Sequence, residues 1–597
     1  MDSKEVCEME DQFLLRCNLD TRKIIKEEIP ERILAQYVGG RGLGVRYMWE
    51  EVPPDVDPLS RANKMIYAVG PLTGSYAPTS GRYCAVSKSP LTKTIFDAHS
   101  GGRFGSELKN LGVMALIVEG MATDLSYLYL DAEDDIFELR DASQLKGKTT
   151  WETTDILVKI TKTQARVACI GPAGENIGLM SCIINDKGHA LGRGGMGAVM
   201  GSKKLKAIVV KGQRPQKNEE LKDLSEQLNL AVRKNPVTKS ALPVFGTSVL
   251  VNIVNELGMF STNNFKEGTF DDALGISGEK LKELYVIKNH ACAGCRIACG
   301  RITKVTEEEQ GKGPEFETIW AFGSQIGNND LALICKVNYL CNQLGLDTIS
   351  TGNTIGCAME LSEKNRLSNF PRFGEVDSLK KIITQIAYKE GIGAELSKGS
   401  RKFAEKYGEP DLSMTVKSLE LPAYDPRGAQ GQGLSYATSN RGGCHLRAYM
   451  ISTEVLGTPI PMDRFSSSGK ASIVRVFQDL SAVVDSLVLC RFSTFALSAV
   501  DYARILSVVH QKEYSQSDFM KIGERIWNLE RIFNLKAGFS AKDDSLPKRL
   551  LEEPLTVGGS RNRVVKLQEM LPEYYKIRGW DENGVPTKEK IAQLELG

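Results

Sequence analysis

No uninterrupted apolar run reaches the ~18–20 residues that a membrane-spanning helix needs, so the sequence predicts no span. The amino-terminal stretch from Met1 to Asp11 is acidic and lacks an apolar core, and it does not read as a secretory signal. Charge of neither sign dominates. Lys and Arg number 76 against 74 Asp and Glu, which argues against a nucleic-acid or anionic-membrane partner. No low-complexity tract or short-period repeat is present. What is left, at 25% charged and 42% hydrophobic residues, is an ordinary globular composition. The 13 cysteines are scattered and odd in number, so they form no disulfide framework; a reducing, cytoplasmic compartment is expected, with some thiols on metal and the others buried. A chain of 597 residues is too long for one core.

Near the middle stands Cys292-Ala-Gly-Cys295-Arg-Ile-Ala-Cys299, preceded by His290. An iron–sulfur cluster needs thiolates converging from a short loop, and the small residues here let the backbone close around it. Three thiolates leave one iron without a ligand, and Cys490, in Asp485-Ser-Leu-Val-Leu-Cys490, is the preferred fourth. A zinc knuckle and three unrelated buried thiols are the alternatives. No second C-x2-C or H-x3-H pair supports zinc, and the spacing is the reverse of the radical-type C-x3-C-x2-C.

Residues 12 to about 210 read as strands and turns, including 65–69, 83–86, 115–118 and 207–210. Three glycine clusters interrupt them: Gly39 to Gly44, Ser100 to Gly105 and Gly192 to Gly197. Each carries an arginine, and bare backbone beside a guanidinium suits phosphate or a polar heterocycle, although a single cluster is more often a tight turn. The first follows a helix-like segment and makes no Rossmann fingerprint. From about 215 to 420 the pattern is helical, with amphipathic stretches at Asn218–Lys234, Leu331–Leu346 and Leu379–Tyr388. The charged run Lys304–Lys312 reads as a solvated turn. From about 421, loops rich in Gly and Ser (Asp425–Gly428, Gly431–Gly433, Arg441–His445) precede helices. One of these, through Ile473, Val474, Phe477, Leu480, Val484 and Leu487, is buried and runs up to Cys490. Asp485 on it is either a helix cap or a ligand-binding group. Taken alone, Glu317 reads as a helix-start or surface carboxylate, and His445, one of five histidines, as a satisfied structural group. Cys444 reads as a buried small thiol.

Together these residues resemble the tungsten-dependent aldehyde:ferredoxin oxidoreductase family over essentially the whole chain. The resemblance rests on Gly39–Gly44, Gly70–Gly74, Ala77–Arg82, Lys88–Thr92, Ser100–Gly102, Gly192–Lys203, the cysteine triplet, Gly313–Thr318, Leu344–Asp347, Asp425–Gly428 and His445. It implies an α+β fold: an N-terminal β-rich, two-sheet domain (residues 1–212) holding a bis-pterin cofactor, then two mainly helical domains (213–420 and 421–597). It implies a tungsten bis-pterin (molybdenum being the alternative metal), with Mg2+ allowed at the pterin phosphates. A [4Fe–4S] cluster would sit on Cys292, Cys295, Cys299 and Cys490. Pterin contacts carry over to Arg82, His99 (where Asn is usual), Gly101, Arg193, Gly194, Asn342 (where Asp is usual), Gly345, Leu346, Asp347, Asp485 and Leu489. Val488 replaces a usual Gly. Glu317 is implied as general base on the attacking water and His445 as hydrogen-bond partner of the carbonyl oxygen.

The implied reaction is reversible oxidation of an aldehyde to its acid, with electrons passing to ferredoxin or an iron–sulfur subunit. The stretch matching a metal-bridged dimer site is Lys336-Val-Asn-Tyr339, which cannot bind a metal, so homodimer and hetero-oligomer both stay open. The alternatives are a relative acting on an aromatic acyl-CoA and a non-catalytic electron-transfer subunit.

Overall fold

A computed structural model describes residues 13–161, 164–213 and 219–596. The acidic amino-terminal stretch, and Asn218 at the start of one expected helix, lie outside the described residues.

Two six-stranded sheets form the N-terminal part, as the two-sheet expectation holds. The first contains β1 (Phe13–Asn18), β2 (Lys23–Glu28), β3 (Met65–Ala68), β4 (Tyr83–Lys88), β5 (Ile95–Ser100) and β6 (Val113–Glu119), in the order β2-β1-β6-β3-β4-β5. Only β1 and β6 run parallel in it. The second contains β7 (Ser126–Asp131), β8 (Ile136–Asp141), β9 (Arg166–Cys169), β10 (Ile183–Asn185), β11 (His189–Leu191) and β12 (Leu205–Lys211), in the order β11-β10-β9-β12-β7-β8. Every residue of β4 is buried, and the helix Gly40–Glu51 packs against it.

Between β2 and β3 lies α1 (Gly40–Glu51), which contains the first glycine cluster. The cluster therefore forms the N-cap and first turn of a helix. Glycine weakens a helix by about 1 kcal/mol per residue relative to alanine, so its presence needs a compensating contact. The contact is a backbone seam. A Cβ on Gly40 would stand 2.3 Å from Val488 Cγ2, one on Gly42 2.2 Å from the Tyr37 carbonyl, and one on Gly70 2.1 Å from the Leu487 carbonyl.

The middle of the chain holds α2 (Glu220–Lys234), then a broken helical stretch from Val237 to Glu256. By length and composition alone that stretch could cross a membrane. It is interrupted at Pro243 and at Gly246, where φ is +66°. The sequence expectation of helix throughout this region is corrected by a three-stranded sheet of β13 (Val286–His290), β14 (Gly300–Lys304) and β15 (Gln310–Lys312). It frames the cysteine loop, which lies between β13 and β14. Helices α3 (Phe316–Phe322), α4 (Leu331–Leu344), α5 (Thr348–Glu363) and α6 (Leu379–Tyr388) follow.

In the last part, Gly431–Gly433 is not loop but the first turns of the fully buried α7 (Gln430–Thr438). Then come α8 (Lys470–Leu487) and α9 (Gln516–Lys536), the latter opened by a Ser515/Asp518 capping box. One core joins both six-stranded sheets to α1, α2, α8 and α9; a second gathers α3 to α7.

Candidate active site

The seam between α1 and α8 determines where the fourth cysteine goes. Helix α8 ends at Val488 in a left-handed turn, φ +59°, and the chain continues extended through Cys490. There the Cys490 N–H donates to the Thr79 carbonyl at 3.2 Å. The triplet loop is held to the same floor, since Ala293 N–H donates to the Gly102 carbonyl at 2.9 Å. Gly81 and Gly101 permit this approach: a Cβ on them would lie 2.4 Å from the Ala293 carbonyl and 2.6 Å from Cys292 Sγ. All four cysteines line one cavity of about 680 Å3. Arg82 Nη1 lies 3.9 Å from Cys490 Sγ.

The thiols are spread too widely for zinc. A tetrahedral zinc site places its sulfurs about 3.8 Å apart. Among the described residues, Asp97, His99 and Asp485 form the only set of three or more such ligand groups whose atoms lie within 4.8 Å of one another. The wider spacing suits the separate iron corners of a cubane. Burial pushes the Cys295 thiol up to about 11, and Cys299 and Cys490 rise as well. A multiply charged metal centre is what such buried thiols need in order to bind as thiolates.

Beside the cysteines lies a cluster of buried arginines and carboxylates. Asp485 is no helix cap: its Oδ2 accepts from Arg41 at 3.2 Å and pairs with Arg447 at 3.1 Å. Asp97 pairs with Arg447 at 2.7 Å, and its Oδ2 lies 2.9 Å from His99 Nε2. Burial opposes ionisation of both carboxyls, but the surrounding guanidinium groups, Arg447 foremost, hold both below the usual range. Arg41 is fully buried and also forks onto Glu530 with two bonds of 2.7 Å. Arg193 joins the third glycine loop to the lids, donating to Asp347 at 3.3 Å and to the carbonyls of Gly443 and Glu420 at 2.9 and 2.6 Å. Asp347 caps α5 through Ile349 N–H. Gly345 ends α4 at φ +76°, Leu346 is buried and bridged to Ser181, Gly194 lies against Phe96, and Leu489 is buried.

The Asn342 amide donates to the Asn338 carbonyl at 3.0 Å within its own helix. The Lys336–Tyr339 stretch is likewise occupied, with Lys336 paired to Glu309 and the Tyr339 hydroxyl bonded to Thr303. A bis-pterin group with phosphates fits the donor set. The Nε atoms of Arg441 and Arg447 are buried without protein partners, a costly state that an anionic group would relieve.

Glu317 and His445 face the same cavity. Glu317 lies in the first turn of α3, where the helix dipole favours a carboxylate, yet burial dominates and pushes its pKa up to about 8. Its Oε2 accepts from Ala423 N–H at 2.9 Å, while Oε1 has no partner. Burial, helped by Arg193 and Arg441, holds His445 well below its ordinary value, so the ring is neutral at pH 7. Tyr424 and Tyr449 flank the ring at 5.6 and 6.1 Å and share a 3.0 Å hydroxyl contact. Cys444 is buried as expected, but not inert. Burial opposes its ionisation, yet Arg441, Arg447 and Arg193 bring its thiol down to about 7, and Arg441 Nη2 lies 2.9 Å from its sulfur.

Sequence reasoning missed Arg41, Asp97, Arg447, Tyr424 and Tyr449. A signal existed for Asp97, because residues two apart on a strand share a face, and that places it beside His99 on β5.

With this geometry in place, comparison with known proteins gives a consistent answer. The family described as aldehyde ferredoxin oxidoreductase matches through its N-terminal domain at residues 14–212 and its domains 2 and 3 at residues 223–596. This chain belongs to that family. It is 48% identical, over 98% of both chains, to the tungsten-containing aldehyde ferredoxin oxidoreductase of Pyrococcus furiosus. The protein of that name from Thermococcus kodakarensis gives the same identity and coverage. A solved active-site complex, BamBC of benzoyl coenzyme A reductase with 1,5-dienoyl-CoA, superposes with a TM-score of 0.84 over 98% of this chain and 97% of that one. At 24% identity that likeness carries the fold alone.

Proposed function

We propose that this oxidoreductase converts aldehydes and water into carboxylic acids, two protons and two electrons at a tungsten bis-pterin centre. Cys292, Cys295, Cys299 and Cys490 would hold a [4Fe–4S] cluster, which would supply the one-electron route to ferredoxin or a ferredoxin-like subunit. One observation carries the reading: the four thiols, Glu317 and His445 line a single cavity, with Arg82 beside them.

Arg82, Gly101, Arg193, Asp347, Asp485 and Leu489 would hold the two pterins, with Mg2+ accommodated at their phosphates. When bound, the group supplies the two-electron acceptor that no side chain here provides. The protein supplies the proton chemistry. A neutral imidazole N–H of His445 donates to the aldehyde oxygen and stabilises charge developing there. Glu317, in its ionised form, takes the proton of the water that adds to the carbonyl carbon. The aromatic wall of Tyr424, Tyr449 and Phe495 keeps bulk water away, so both contacts act in a low dielectric.

The relatives that are 48% identical support aldehydes over an aromatic acyl-CoA, and a bare electron carrier would not need Glu317 and His445 beside the cluster. Anaerobically purified protein should reduce a viologen dye with an aldehyde and not oxidise or reduce an aromatic acyl-CoA. Iron without tungsten or molybdenum would overturn the assignment.

A further inference from the structure

Two cations in the cavity lining are unused by the proposed mechanism, and one of them, Lys312, is paired with Glu315 at 3.2 Å. Arg491 directly follows Cys490 and lines the cavity together with Glu317 and His445. Its neighbours are committed elsewhere: Arg41 to Glu530, Arg447 to Asp97 and Asp485, Arg193 to Asp347. Arg491 differs. Among the described residues its one hydrogen-bond partner is Ser481 Oγ, and no carboxylate lies within 4.0 Å of its guanidinium. Ser481 Oγ in turn lies 3.4 Å from the carbonyl of Leu446, the residue after His445. The guanidinium is thus one side chain removed from the backbone that carries the catalytic histidine.

Leu446, Phe477, Leu480, Phe492 and Phe495 give the same cavity an apolar wall. A guanidinium in such a wall is costly unless it meets an anion. Its free donors form a planar fork, the geometry that a carboxylate accepts with both oxygens.

We propose that Arg491 is a carboxylate anchor inside the catalytic cavity. It rests on the aldehyde-oxidising reading above and extends it to the charge of the ligand. The carboxylate has two sources: the acid formed at the reacting carbon, or a second carboxylate carried by the substrate.

The test compares wild type with Arg491→Leu and Arg491→Lys. Benzoate affinity, measured by isothermal titration calorimetry, requires no turnover and probes the product acid. The ratio of kcat/KM for 4-carboxybenzaldehyde to that for 4-methylbenzaldehyde probes a second carboxylate. Arg491→Leu should weaken benzoate or lower the ratio by about tenfold or more, the size of a charge-assisted hydrogen bond, with Arg491→Lys in between. The measurement that moves names the source. The proposal falls if both stay at the wild-type value. It also falls if Arg491→Leu loses tungsten while keeping its iron, since Arg491 would then be serving a cofactor phosphate. Because benzoate binding is read without catalysis, the anchor and the oxidation can fail independently.

Discussion

His445 Nε2 stands 3.7 Å from Glu317 Oε1, beyond hydrogen-bond reach, and the far nitrogen of the ring and this near oxygen of the carboxyl are both buried without partners. Burial favours the neutral form of both, raising the Glu317 carboxyl to about 8 and lowering the His445 imidazole.

Glu317→Gln should lower kcat/KM by about 10^2–10^4-fold, the range for losing a positioned base. In the wild type the ionised form is the active one, so kcat/KM should climb as pH rises through about 8, and that limb should vanish in the variant. The same group affects folding. Its folded pKa is raised, so the folded state binds the proton more tightly and stability declines as pH rises from its ordinary value of 4.5 to about 8. Thermal unfolding across this window should show the variant losing less stability than the wild type.

His445→Asn retains a hydrogen-bond donor but moves it. A loss of about 10^2–10^3-fold in kcat is expected, as for removal of one donor to a developing oxyanion. Tungsten and iron content should stay at the wild-type level, measured by elemental analysis.

Elemental analysis of the wild type should give about four irons and about one tungsten per chain. Cys490→Ser should lose cluster iron, visible also in the electron paramagnetic resonance of the reduced protein. Cys444→Ser should keep it, because Cys444 faces Arg441 and not the triplet loop. Unchanged iron in Cys490→Ser would remove that residue from the ligand set.

Gly70→Ala places a methyl 2.1 Å from the Leu487 carbonyl. Relief requires α8 to move off the sheet, which should cost about 1–3 kcal/mol in thermal or denaturant unfolding. Iron content should fall with it, since Cys490 hangs from the end of that helix.

The residues proposed as ligands and catalysts stood out in the sequence because thiols, a carboxylate and a histidine sit in distinctive local strings around Cys292, Glu317, His445 and Asp485. The strands of the first sheet were legible because β4 and β6 are buried runs bounded by Gly and Pro. Where contacts are distant in sequence, the reading failed. Arg41 looks like part of a glycine loop until Glu530 and Asp485, hundreds of positions away, become its partners. Gly431–Gly433 reads as loop because glycine lowers helix propensity, but burial in the second core overrides it. The short sheet around the cysteine loop left no alternation strong enough to separate it from the helices beside it.

The seam of Gly40, Gly42 and Gly70 has a consequence for biogenesis. Cys490 is carried by α8, which packs on α9, and α9 supplies the Glu530 that neutralises Arg41 in α1. A nascent polypeptide emerging from the ribosome has its first three thiols long before the fourth is translated, and the clamp that fixes the fourth is translated later still. A fragment ending before residue 516 would carry all four thiols yet lack the Glu530 clamp on Arg41, so its fourth thiol should be held less firmly against the triplet loop.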